Sequence, residues 1–282
     1  MKHICWALLT MLLVSCASEV PTFRTEVLNR FTPVKSQGTS QLCWAYAMLS
    51  AIETEHIMRG DSIHLSVAYV EQMMEQEASA PATKRGMGQT LLNMIGKYGI
   101  VPYESMRTTE VPAPKWAFMY GMQYTPQEFA RSVCAPDEYV GLGTTRQVPY
   151  YKYFEPDIPD NWEHNQLLNL SADSLLSTTV RAVSEGHGVC WEGDISEMGF
   201  DWKKGVARLS LFNGSTTDDH CMAIVGLARD VDGERYFIMK NSWGKDNVYE
   251  GLMYMHFEYF QKKTVAVYLP RCLVEGEVVI TL

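Results

Sequence analysis

Cys43 lies in Gln37-Gly38-Thr39-Ser40-Gln41-Leu42-Cys43-Trp44, at the head of a stretch with helical periodicity. Leu42, Ala45, Leu49 and Ile52 recur at helical spacing, with Met48 on the same side, and predict a helix from Leu42 to Arg59. Ser40 is the expected N-cap and Gly60 the expected stop. Backbone N–H groups at a helix N-terminus carry partial positive charge, which stabilises a thiolate. A single cysteine on such a helix is more often a core residue, so the nucleophile reading needs partners. Gln37 precedes Cys43 by six residues across a Gly-Thr-Ser turn, and its side-chain amide can fold back to donate to an oxyanion. His220 opens a predicted strand, in Asp218-Asp219-His220-Cys221-Met222, and supplies a base. Asn241 follows the next strand, in Lys240-Asn241-Ser242-Trp243-Gly244. Its amide oxygen would accept the imidazole N–H and hold the ring in one tautomer.

The elements that must position these residues are legible from period and punctuation. A second helix is expected after Ser66, ending near Glu77, and Pro81 to Gly88 reads as a loop. A third helix is expected over Gln89 to Tyr98, closed by Gly99, and another over Ser171 to Ser184. Strands are expected at Cys190 to Asp194, His220 to Ala228, Tyr236 to Lys240, Leu252 to Phe257 and Thr264 to Leu269, with Asp232-Gly233 as a hairpin turn. Helices that come before strands point to an α+β fold. Residues 105–185 are rich in aromatics and prolines and read as an aromatic core with many turns. His56, His64, His164, His187 and His256 have ordinary contexts and are read as structural or surface residues.

The bulk properties exclude several classes. The 282 residues are 46% hydrophobic and carry a net charge of −9, with no basic run, which argues against a nucleic-acid partner. No Cys/His spacing suits zinc, and neither a metal nor a cofactor is expected. Lys2 and His3 precede an apolar stretch, Ile4 to Val14, too short for the roughly 20 residues of a membrane-crossing helix but suited to a signal peptide. It ends in Leu13-Val14-Ser15-Cys16, which resembles a bacterial lipobox. The expectation is a signal peptide over 1–15, a lipid on Cys16, a tether over 16–30 and a domain over 31–282 with an insertion at about 105–185. That would make an exported bacterial lipoprotein held on a membrane, facing the periplasm or on the outer membrane. Cys43, Cys134, Cys190, Cys221 and Cys272 then remain, an odd number that leaves at least one thiol unpaired, with pairing among the others open.

Gln-x5-Cys-Trp, Asp-His and Asn-Ser-Trp-Gly, in the order Cys, His, Asn, resemble the papain-like cysteine peptidases. The bleomycin hydrolase and aminopeptidase C branch is similar in further stretches: Gly88-Gln89 through Lys97-Tyr98-Gly99-Ile100-Val101-Pro102, Tyr124 to Gln127, Ile158 to Trp162, Asp194 to Phe200, and Thr216 to His220. The resemblance spans about Phe31 to Leu269. It implies a two-lobed fold, a helical lobe with the nucleophile helix and a β-barrel-like lobe with His220 and Asn241. It implies Cys43 as nucleophile, His220 as base and then acid, and Asn241 as orienting residue. Gln37 and the Cys43 N–H would form the oxyanion hole. Trp243 would shield the His220–Asn241 bond, with Asp219 as structural support. Gly88 would pair with the substrate backbone, and Cys221 would line the pocket for the residue before the scissile one, unless its thiol pairs elsewhere.

Peptides or proteins are the implied substrates, cleaved as an aminopeptidase. The branch's C-terminal arm and hexameric ring have no counterpart in Pro270 to Leu282, where Val278-Val279-Ile280 reads as a strand, and no feature supports oligomerisation. Endopeptidase action on the same fold and a non-catalytic binding lipoprotein are the alternatives.

Overall fold

The computed structural model describes residues 20–210 and 214–274. The proposed signal segment, Cys16 and the expected strand at 278–280 lie outside them. Six helices occur among the described residues: α1 (Cys43–Arg59), α2 (Val67–Gln76), α3 (Gly88–Tyr98), α4 (Pro126–Val133), α5 (Ala172–Ser184) and α6 (Phe257–Lys263). The strands are β1 (Arg24–Leu28), β2 (Ala117–Met119), β3 (Met122–Tyr124), β4 (Tyr139–Gly143), β5 (Tyr153–Phe154), β6 (Leu167–Asn169), β7 (Val189–Gly193), β8 (Phe200–Asp201), β9 (Val206–Ala207), β10 (His220–Arg229), β11 (Arg235–Lys240), β12 (Leu252–His256) and β13 (Thr264–Pro270). All but β2 and β3 join one sheet, in the order β5-β6-β4-β13-β7-β10-β11-β12-β9-β8, with β1 also on β10.

The two lobes of the expected fold are visible in the packing. α1 to α4 bury Leu49, Met73, Leu91 and Phe129 in one cluster. The sheet, α5 and α6 bury Leu175, Trp191, Phe237 and Phe260 in another. β10 lies between them and is buried from His220 to Ala228. α1 covers it from one side and α5 from the other. That double burial is why β10 reads as an unbroken apolar run rather than an alternating one. Gly188, just before β7, lets α1 come close: a Cβ there would sit 2.0 Å from the Ala51 carbonyl oxygen.

Several expectations need correction. The stretch 16–30 is not all tether, because β1 pairs antiparallel with β10 and Phe23 stacks on Tyr254 at 3.9 Å. Residues 105–185 are built into the main fold, since β4 and β6 join the main sheet and α5 packs on β10. Their aromatics do not form one core. Phe129 and Tyr139 are buried, but Phe118 is 60% and Tyr120 77% exposed. The β2–β3 hairpin has only two strands and turns at Tyr120 and Gly121, both at positive φ, so one of its faces stays in solvent.

Candidate active site

Helix α1 begins at Cys43 itself. Ser40 is not its N-cap. It belongs to the preceding turn, where its N–H donates to Gln37 O at 3.0 Å and its hydroxyl accepts from Leu42 N–H at 3.3 Å. That turn needs Gly38 at φ +57°. Leu42 is the cap position, and no side chain caps the helix. The first-turn N–H groups therefore stay open to an anion at the Cys43 end.

His220 and Asn241 are brought together by the β10–β11 hairpin. His220 Nε2 lies 2.8 Å from Asn241 Oδ1, both buried. With Nε2–H donating to the amide oxygen, Nδ1 is left for the Cys43 thiol, with which His220 makes a side-chain hydrogen bond. The Asn241 amide is held in turn, its Nδ2 against Met253 Sδ at 3.7 Å and its Oδ1 also accepting from Ser242 N–H at 2.7 Å. Trp243 packs on His220 with ring centroids 4.6 Å apart, and Trp202 backs Trp243 at 5.4 Å.

Gln37 is anchored to the same loop. Its N–H donates to Ser242 O at 2.7 Å, its Oε1 accepts from Ser242 Oγ at 2.6 Å, and its Nε2 donates to Ser40 O at 2.7 Å. The amide nitrogen has a second hydrogen, which remains for an oxyanion. Ser242 carried no role in the sequence reading, yet it fixes which way the Gln37 amide points.

Five free thiols occur among the described residues: Cys43, Cys134, Cys190, Cys221 and Cys272. Burial pushes Cys134 up to about 12 and Cys190 well above the usual thiol range. Cys43 goes the other way. A hydrogen bond from the Cys221 thiol, then the hydrogen bond and charge of His220, hold it well below that range against the opposing effect of burial. Cys221 thus faces Cys43 rather than pairing in a disulfide.

Gly88 sits differently from the expectation, whereas Asp219 takes the supporting place given to it. Gly88 does not present its N–H to the cleft; the N–H donates to Glu192 Oε2 at 3.2 Å, and a Cβ would meet the Tyr268 ring at 2.5 Å. Gly88 is the first residue of α3, so its backbone turns inward onto the sheet. Asp219 accepts from Thr217 Oγ1 at 2.7 Å, and its N–H donates to Gly193 O at 3.2 Å, which steadies the loop before His220. Glu192 and the Asp218 side chain carried no role in the sequence reading. The available signal was a carboxylate within the otherwise uncharged run Val189-Cys190-Trp191-Glu192-Gly193. Among the described residues no group of three or more His, Cys, Asp or Glu is placed to hold a metal ion, and no helix is long and apolar enough to cross a membrane.

PepW from Lactobacillus rhamnosis HN001 superposes with a TM-score of 0.71 over 93% of this chain and 85% of its own, at 16% identity. Bromelain from Ananas comosus, solved with the E64 inhibitor, superposes with a TM-score of 0.51 over 85% of this chain and 93% of its own, at 18% identity. The fold is papain-like. Residues 158–273 match the papain family cysteine protease domain, a stretch that holds His220 and Asn241. Chymopapain from Carica papaya is 25% identical over 79% of this chain and 51% of its own sequence. A senescence-specific cysteine protease of Arabidopsis thaliana is 24% identical over 76% of this chain and 49% of its own. The chain spans about half the length of these two relatives.

Proposed function

We propose that this protein is a cysteine-type peptidase with Cys43 as nucleophile and His220 as base and acid. The observation that carries the reading is the continuous chain from Cys43 through His220 to Asn241, at the uncapped start of α1. The thiolate attacks the substrate carbonyl, and the oxyanion meets the Cys43 N–H and the Gln37 amide. The His220 imidazolium gives its proton to the leaving amine. The imidazole then takes a proton from water, which clears the thioester and restores the thiol pair. Asn241 holds the ring for both transfers, under Trp243. The test is replacement of Cys43 by alanine: peptide hydrolysis and labelling by an epoxide thiol inhibitor are both expected to disappear. Unchanged hydrolysis in that variant would remove the reading.

Within this class we propose an aminopeptidase, on the strength of the stretches similar to the bleomycin hydrolase and aminopeptidase C branch, such as Ile158 to Trp162 and Thr216 to His220. A peptide and its N-acetylated form separate this from endopeptidase action; equal cleavage of both would favour the latter. The Leu13-Val14-Ser15-Cys16 stretch supports a lipid anchor. Expressed in a bacterium, the wild-type chain should fractionate with membranes and Cys16→Ser should not.

A further inference from the structure

β7, β10 and β13 place Glu192 beside Cys221 and Ala266 on the face of the sheet that meets the helical lobe. Glu192 is fully buried. One oxygen accepts from Gly88 N–H, while Oε1 has no hydrogen-bond donor. Asp218 Oδ2 has no donor from any third residue either; the Asp218 and Glu192 carboxyl groups hydrogen-bond to each other. Two carboxyl groups in contact have no donor between them when both are ionised. They need a proton or an external cation. Arg85 acts on Asp218 by its charge alone, because its guanidinium donates to Asp160 at 2.6 Å and to the Asp218 backbone oxygen at 2.6 Å. Asp218 is partly exposed, so the pair is approached from its side, two residues before His220.

We propose that the Glu192–Asp218 pair is a specificity site that binds a cationic group of the peptide substrate, an ammonium or a guanidinium, beside Cys43. This rests on the peptidase reading of the preceding section. Burial raises Asp218 to about 7 and Glu192 well above the carboxylate range, so near neutral pH the pair keeps one proton and one negative charge. A substrate cation brings the complementary charge, and its N–H groups donate to the lone pairs that the shared proton leaves open. An uncharged, apolar group at the same place would leave the pair's negative charge uncompensated, which a buried site penalises. The cation can be the α-ammonium of the peptide or a Lys or Arg side chain.

Four peptides decide it, differing only at the second residue before the scissile bond, lysine or norleucine, each with that residue's amine free or acetylated. A side-chain site favours lysine over norleucine by at least about tenfold whether or not the amine is blocked. An α-amine site favours the free amine by a similar factor for both residues. In either case Glu192→Gln and Asp218→Asn, close in shape to the natural residues, should bring the ratio near unity. Cleavage of acetyl-norleucine as fast as the cationic peptides overturns the proposal, as does a preference that both variants retain; a site occupied by a proton only gives the first result. Hydrolysis that persists after Cys43→Ala would instead defeat the peptidase reading. If no peptide is cut, calorimetric binding of the same four to Cys43→Ala reads the preference directly.

Discussion

Cys43 differs from the buried thiols Cys134 and Cys190 both in being partly exposed and in what surrounds it. Cys134 and Cys190 meet apolar neighbours and are pushed upward, whereas Cys43 has Cys221, His220 and an uncapped helix start. Iodoacetamide at pH 6 should therefore alkylate Cys43 rapidly and leave Cys134 and Cys190 unmodified in the folded protein, as peptide mass mapping would show. Equal labelling of all three would contradict the depressed Cys43 value. Asn241→Ala should lower kcat/KM by about a hundredfold, because ring orientation is lost while nucleophile and base remain. Gln37→Ala should cost about 10²-fold in kcat, the usual scale for one oxyanion donor. Both are read by steady-state kinetics on one peptide. At this scale much was legible: Cys43, Gln37, His220 and Asn241 stand in motifs whose order survives without coordinates. Glu192 was not, because a single glutamate in a strand gives no sign of which face it occupies or of the Asp218 that meets it.

The elements act through close approach. Gly188 has room for no side chain because α1 lies directly on the backbone before β7, where Glu55 also accepts from Gly188 N–H at 2.8 Å. Gly188→Ala should cost about 3 kcal/mol and shift α1, and with it Cys43, away from β10. Urea unfolding measures the first effect and Cys43 alkylation the second. The carboxyl pair between β7 and the loop before β10 adds a pH dependence. Its folded-state values are raised, so the fold favours the protonated form. That contribution is complete below the unfolded carboxylate values near 4 and is lost as pH rises through about 7. The melting temperature should fall over that window, and Glu192→Gln should flatten the fall. An unchanged slope would mean that other groups set it. The four helices and five strands expected from the sequence lie within a residue or two of α1, α2, α3, α5, β7 and β10 to β13, whereas α4, α6, β1 to β6, β8 and β9 carried no expectation. The Ser40 cap was not, because capping depends on where the turn at Gly38 releases the chain into helix.

Across the whole molecule the site draws on two lobes with separate cores, Cys43 from the helical one and His220 and Asn241 from the sheet. Low-pH reactivity of Cys43 should accordingly disappear in denaturant together with tryptophan fluorescence, in one transition, since neither lobe holds the thiolate alone. The amino-acid sequence by itself determined the α+β class, nine of its main elements and the order Cys43, His220, Asn241 on which the proposed chemistry rests. These follow from local periodicity and from motifs whose chemistry is short-range. Only the tertiary structure decided that β1 closes onto β10, that Gly88 faces inward, that Ser242 aims Gln37, and that Glu192 and Asp218 meet. Each of these depends on strand register and lobe packing between residues distant in the chain, which side-chain type and spacing do not encode.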